Sequence, residues 1–208
     1  MVRKEKEVLL YRKHRSHFEY KYLPQFVYGG IDGAITTFAV VAGVIGASLS
    51  STIVLILGFA NLFADGFSMA TSNYFSTKSE NDLDFEKKSD YANDKVRQYS
   101  LAQHRASRKK NKKVPLKTAF ATFIAFILVG LIPLLSFVYA AFYGNEMSVR
   151  SQFLYSAILT GFAFFIVGFY KGFITKKNPL KSALETLIIG SIAAGLAFGV
   201  GYGLSLLV

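Results

Sequence analysis

Long apolar runs alternate with short, densely charged stretches along this chain. Five runs stand out, at about 26–48, 51–75, 116–139, 151–174 and 181–206. Each reaches the roughly 20 residues that a helix needs to cross about 30 Å of hydrocarbon. The runs are unbroken rather than alternating, so they predict helices and no strands. Only Leu49–Ser50 separates the first two, which predicts a tight helical hairpin. Pro115 and Pro179 open the third and fifth runs, where a missing N–H costs a helix nothing. Pro133 should kink the third. Gly195, Gly199 and Gly203 recur every four residues in the fifth and predict a packing face for a neighbouring helix.

The polar stretches divide the rest. Residues 1–25 form a charged N-terminal segment, 26–75 a membrane hairpin, 76–115 a charged loop, and 116–208 three further spans. The first segment reads as an amphipathic helix lying on headgroups and ended by Pro24. It lacks the apolar core of a cleavable signal peptide. The expected fold is an all-α integral membrane protein with five transmembrane helices.

Charge adds an orientation. Of 24 Lys and Arg, 23 lie in residues 1–24, 76–117 and 171–181, which leaves only Arg150 among the other loops. The positive-inside rule therefore puts the N-terminus in the cytoplasm and, after five crossings, the C-terminus outside. A net charge of +11 would suggest nucleic acid in a soluble chain. Here the basic residues flank apolar spans and face lipid headgroups, so no nucleic-acid partner is expected. The chain has no cysteine, which excludes thiolate ligands and cysteine nucleophiles. No histidine pair or phosphate-binding loop is present either, so an enzyme is not expected.

Against this background, Asp32 and Asp65 stand out because ionisable residues inside spans mark function by default. At 100° per residue, Gly29, Asp32, Thr36, Ala39, Gly43 and Gly46 share an arc of about 100° on the first helix. Asn61, Asp65, Ser68, Met69 and Ser72 do the same on the second, over about 100°. The two helices run antiparallel. Counting from the span ends puts Asp32 and Met69 at similar depth, with Asp65 one turn nearer the midplane. Carboxylates suit hard or borderline divalent ions, and a thioether adds preference for softer ones. Asp32, Asp65, Met69 and Asn61 are thus the candidate metal set, for transit rather than storage. Thr36, Glu185, Glu80 and Glu86 are accessory candidates. Asp82, Glu86, Asp90 and Asp94 would make an acidic stripe if the second helix continues, and a solvated face laced with lysines is the competing reading.

DGAITTFAVVAG at 32–43 and LILGFANLFADGFSMATSNYFSTKSE at 55–80 resemble the signature of the vacuolar iron transporter family. GLIPLL at 130–135 and ETLIIGSIAAGLAFGVG at 185–201 extend the likeness over all five spans. The resemblance implies a homodimer with its ion path between the copies. It also implies export of cytosolic Fe²⁺ and often Mn²⁺ in exchange for protons, with Asp32 and Met69 at the transport site. No bound cofactor is implied beyond the transported ions. Typical members insert a long glutamate-rich domain between the second and third spans. Only a short segment separates Glu80 from Pro115 here, as in the nodulin-like branch. That loss motivates an alternative, a membrane scaffold that kept the fold without transport. The composition suits a small prokaryotic inner-membrane protein, or a vacuolar or other organelle membrane in a eukaryote.

Overall fold

The computed structural model describes the backbone of residues 2–90, 113–143 and 147–207, and side chains over 22–83, 113–143 and 147–207. Six α-helices run in order: α1 Val2–Gly46, α2 Ser51–Asp90, α3 Pro115–Gly130, α4 Leu135–Tyr143, α5 Val149–Ile174 and α6 Pro179–Ser205. A 3₁₀ turn, Ile132–Leu134, joins α3 to α4, and those pieces together make one span. Five stretches are therefore long and apolar enough to cross a membrane: Tyr22–Gly46, Ser51–Leu83, Pro115–Tyr143, Val149–Ile174 and Pro179–Ser205. No strand occurs among the described residues. Asp94, His104 and the basic stretch 97–112 lie outside them, as do the side chains of Glu86, His14 and His17.

Local sequence accounts for the boundaries. Pro115 and Pro179 occupy first-turn positions as expected, and the Asn178 side chain accepts from the Leu180 and Lys181 N–H groups at 3.1 and 3.3 Å. Pro133 does more than kink its span, since the α-helix stops at Gly130 and resumes at Leu135. The Ser156 hydroxyl donates to the Pro133 carbonyl at 2.6 Å, satisfying backbone at the break from a neighbouring helix. Pro24 does not end a helix. It sits inside α1, which runs unbroken from Val2 to Gly46. Proline removes one N–H and crowds the carbonyl four residues back. At the edge of a span, water and headgroups can satisfy that carbonyl, so the helix continues.

The hairpin between α1 and α2 is fixed by a left-handed residue, Ser48, at φ 57°. The Leu49 N–H reaches back to the Val44 carbonyl at 3.1 Å, closing α1 in a Schellman-type cap. This cap sets the level from which depth along both helices is counted.

α1 is the central helix. It packs on α3 through glycines whose backbones touch. A Cβ on Gly29 would lie 2.6 Å from the Thr122 carbonyl oxygen, and one on Gly33 would lie 2.5 Å from that of Phe126. Towards the hairpin, Gly43 and Gly46 meet α6 at Ala197, Phe198 and Gly201. Small residues permit such approach because membrane helices associate by packing. The expected α6 face is not the one used. Nothing lies within 4 Å of a Cβ at Gly195, Gly199 or Gly203, while Gly201 abuts the Gly43 backbone. One residue on a helix is a 100° turn, so contact through Ala197, Phe198 and Gly201 points the other three glycines elsewhere.

An apolar cluster of Phe38, Val41, Val44, Val54, Leu134 and Phe137 fills the hairpin end. Gln152 fastens that end: it accepts from Ser51 at 2.8 Å and donates to the Met147 carbonyl at 2.9 Å. At the opposite, basic end, Asn73 Nδ2 donates to Thr122 Oγ1 at 2.6 Å, and the Thr77 and Thr118 hydroxyls bond at 3.0 Å. These bonds tie α2 to α3.

Candidate functional site

Asp32 lies 14 residues before the end of α1 at Gly46, and Asp65 lies 14 residues after the start of α2 at Ser51. At 1.5 Å per residue, both sit about 21 Å from the hairpin. The two aspartates are therefore level. Asp65 is not a turn deeper, as counting from the span ends suggests. The reason is that α2 runs on to Asp90, so its apolar end is a poor ruler. The carboxylates are close enough for their charges to interact. Met69 lies one turn nearer the basic end, on the same side of α2 as Asp65.

Burial differs across the set. Asp32, Asn61 and Met69 are half-buried, while Asp65, Ser68 and Ser72 are exposed on the protomer surface. The small-residue stripe of α1 is thus divided in use. Gly29, Gly43 and Gly46 are pressed against other helices, whereas Asp32, Thr36 and Ala39 keep partial access. Thr36 donates to the Asp32 carbonyl at 2.8 Å, a common way for a helical threonine to spend its hydroxyl proton. Its oxygen lone pairs are left over.

A cleft of about 410 Å³ opens between α1 and α2 on the basic side of the pair. Pro24, Gln25, Tyr28, Met69, Ser72, Asn73 and Ser76 line it. Hydroxyls, amides and one thioether are weak, exchangeable ligands, which suits the mouth of an ion path better than a storage site. Towards the hairpin the path is shut. Val41, Val54 and Leu134 are fully buried in the apolar cluster that begins there. The site is accessible from the basic end and closed from the other.

The accessory candidates do not join it equally. Glu80 is exposed on α2, three turns beyond Asp65 towards the basic end. Glu185 is exposed on α6 beside the buried Thr186. Asp82 and Asp90 continue along α2, so the helix does extend beneath the acidic residues. Among the described residues, no three His, Asp or Glu side chains converge. One protomer therefore offers a carboxylate pair plus a thioether, fewer ligands than a divalent ion ordinarily takes.

Two contributors are not evident from sequence patterning. Asn73 lines the cleft and anchors α2 to α3 through Thr122. Thr37, adjacent to the Thr36 singled out above, is fully buried with an unbonded hydroxyl. The seven-residue step from Gly30 through Thr37 to Val44, all buried, is the signal that marks its face.

A family model described as the VIT family matches residues 23–107 and 88–202. A vacuolar iron transporter of Toxoplasma gondii is 29% identical over 95% of this chain and 79% of its own length. Vacuolar iron transporters 1 of Eucalyptus grandis and Arabidopsis thaliana are each 30% identical, over 94% and 95% of this chain and 92% of their own lengths.

Proposed function

The chain belongs to the VIT family, a family of metal transporters, and from that premise we propose that it exports Fe²⁺, Mn²⁺ or both from the cytosol in exchange for protons. The observation that carries this reading is the level pair Asp32–Asp65 inside two spans, with Met69 one turn nearer an open cleft. A cation arriving through the cleft meets the Met69 sulfur and then two carboxylates. Carboxylates shed protons as metal binds and regain them as it leaves, which couples metal movement to proton movement. Asn61, on the face of Asp65 and one turn towards the hairpin, supplies a neutral amide to the same seam.

The functional unit in this reading is a homodimer. Asp65, Ser68 and Ser72 are exposed on a span, and hydrocarbon does not tolerate such a surface. A second copy seated there would cover them and double the ligand count at the seam. The basic end faces the cytoplasm on the positive-inside argument. The relatives named above come from eukaryotes and are named for the vacuole, so they lend nothing to an inner-membrane location. A vacuole-like compartment is the better expectation.

Uptake into proteoliposomes tests this directly. A panel of divalent ions is presented with and without a pH gradient. Accumulation of Fe²⁺ or Mn²⁺ that rises with an opposing proton gradient is the expected result. Well-folded protein that moves no divalent ion under either condition would overturn the proposal in favour of a scaffold.

A further inference from the structure

Buried helical threonines in this protein spend their hydroxyls on backbone or on one another. Thr118, Thr122, Thr160 and Thr186 donate to carbonyls three or four residues back, at 2.7–3.0 Å. Thr77 bonds to Thr118 at 3.0 Å. Thr37 is the exception. It is 0% exposed, and its Oγ1 has no hydrogen-bond partner among the described residues. Asn61 Nδ2 is the other buried side-chain atom in that condition.

These two orphans share a place. Thr37 is nine residues before Gly46 and Asn61 ten residues after Ser51, so they are level, about 14 Å from the hairpin. Thr37 shares its helix face with Val41 and Val44, and Asn61 shares its face with Val54. Those three valines pack in one cluster, so the faces carrying Thr37 and Asn61 meet along the same seam. The level lies one turn from Asp32–Asp65 and borders the apolar plug. An orphaned buried polar atom costs about 1–3 kcal/mol, and native proteins rarely leave one without water or an ion.

We infer that Thr37 and Asn61 hold a bound water between the carboxylate pair and the apolar plug. The water accepts from Asn61 Nδ2 and donates one O–H to Thr37 Oγ1. Its second O–H and its remaining lone pair face the seam that carries the carboxylates. There it can pass a proton along the seam, taking one on its lone pair as it releases another through an O–H bond. Asn61 and Thr37 are positioning residues in this scheme. The water itself follows from the orphaned atoms alone, while its part in proton exchange rests on the transport reading above.

The experiment separates the two. A structure of the full-length protein resolving ordered water should show a peak within hydrogen-bond distance of both side chains in wild type and in Thr37→Ser, and none in Thr37→Val. Mn²⁺ binding in detergent should stay within about twofold in all three. Metal-driven proton release in liposomes should fall about tenfold in Thr37→Val and recover in Thr37→Ser. An empty position in wild type overturns the inference, even if transport is normal. A water present in wild type with unchanged proton release in Thr37→Val overturns its role. Wild type that shows the water but moves no metal refutes the transport reading and leaves the water site standing. Should Thr37→Val fail to fold, the wild-type peak and Asn61→Leu, with the same readouts, decide the matter.

Discussion

A Cβ on Gly33 would lie 2.5 Å from the carbonyl oxygen of Phe126 and 2.9 Å from its Cα. Backbone therefore touches backbone directly beside Asp32, and the depth of the aspartate is set by its neighbour. Backbone cannot yield as a flexible side chain does. Gly33→Ala is expected to destabilise the protein by about 1–3 kcal/mol, by forcing α1 away from α3. Gly199→Ala meets nothing within 4 Å in the protomer and removes a helical glycine, so it should be neutral or stabilising by up to about 1 kcal/mol there. Thermal unfolding of the two variants in detergent checks the contrast. Equal losses for both would show that the α1–α3 contact does not hold Asp32 in place.

The level aspartates lead to a prediction about metal and stability together. Two like charges close together repel, and a cation between them removes the repulsion. Wild type should gain about 2.7 kcal/mol when a bound divalent ion is present at 100 times its Kd. Asp32→Asn and Asp65→Asn should each keep the metal-free melting temperature at or above wild type and lose most of the metal-induced gain. Transport should fall about 100-fold in either variant, as when one partner of a desolvated charge pair is truncated. Melting curves with and without chelator, beside liposome uptake, read out both. A normal metal-induced shift in Asp65→Asn would remove Asp65 from the site.

The sequence made the spans legible because hydrocarbon demands long apolar runs, and Pro115 and Pro179 marked two starts without ambiguity. The candidate ligands were legible for the same reason, since Asp32 and Asp65 contradict their surroundings. Depth was legible only from the hairpin. α2 passes its apolar end without a break, so counting from that end misplaces Asp65 relative to Asp32. Glycine periodicity showed that close contacts exist but not which glycines make them. Gly201 packs and Gly199 does not, because a neighbour's position, rather than the period, chooses the face. Thr37 was hidden for a similar reason. Thr36 and Thr37 are chemically identical and 100° apart, and only the packing of α1 decides which hydroxyl is orphaned.

The Asn73–Thr122 bond joins the cleft wall to α3. Hydrogen bonds between membrane helices average about 0.6 kcal/mol and reach about 1.7. Thr122→Val should cost an amount in that range and leave Mn²⁺ binding intact, since Thr122 is fully buried and does not line the cleft. Asn73→Leu should cost a similar amount and also slow metal uptake, because it replaces an amide in the cleft wall with an apolar group. Unfolding and uptake measured on both variants separate the fastening role from the wall role. Identical uptake defects in the two would mean that the bond, not the wall, governs access.

Met69 tests ion choice. It is half-buried, lines the cleft, and lies one turn from the carboxylates on the side from which the ion arrives. A thioether contributes little to a hard ion and more to softer ones, whereas the carboxylates attract every divalent cation. Met69→Leu conserves volume and apolarity while removing the sulfur, and such swaps usually cost less than about 1.5 kcal/mol in packing. The expected outcome is a change in ranking rather than a general loss. Fe²⁺, Co²⁺ and Zn²⁺ should lose ground to Mn²⁺ in competition uptake, and Ca²⁺ and Mg²⁺ should compete better than they do against wild type. The melting temperature should barely move, which distinguishes a lost ligand from a disturbed helix. If all ions decline in parallel, Met69 shapes the cleft without choosing its cargo. The selectivity would then rest on the carboxylate seam alone, where Asp32 and Asp65 offer the same hard oxygens to each ion.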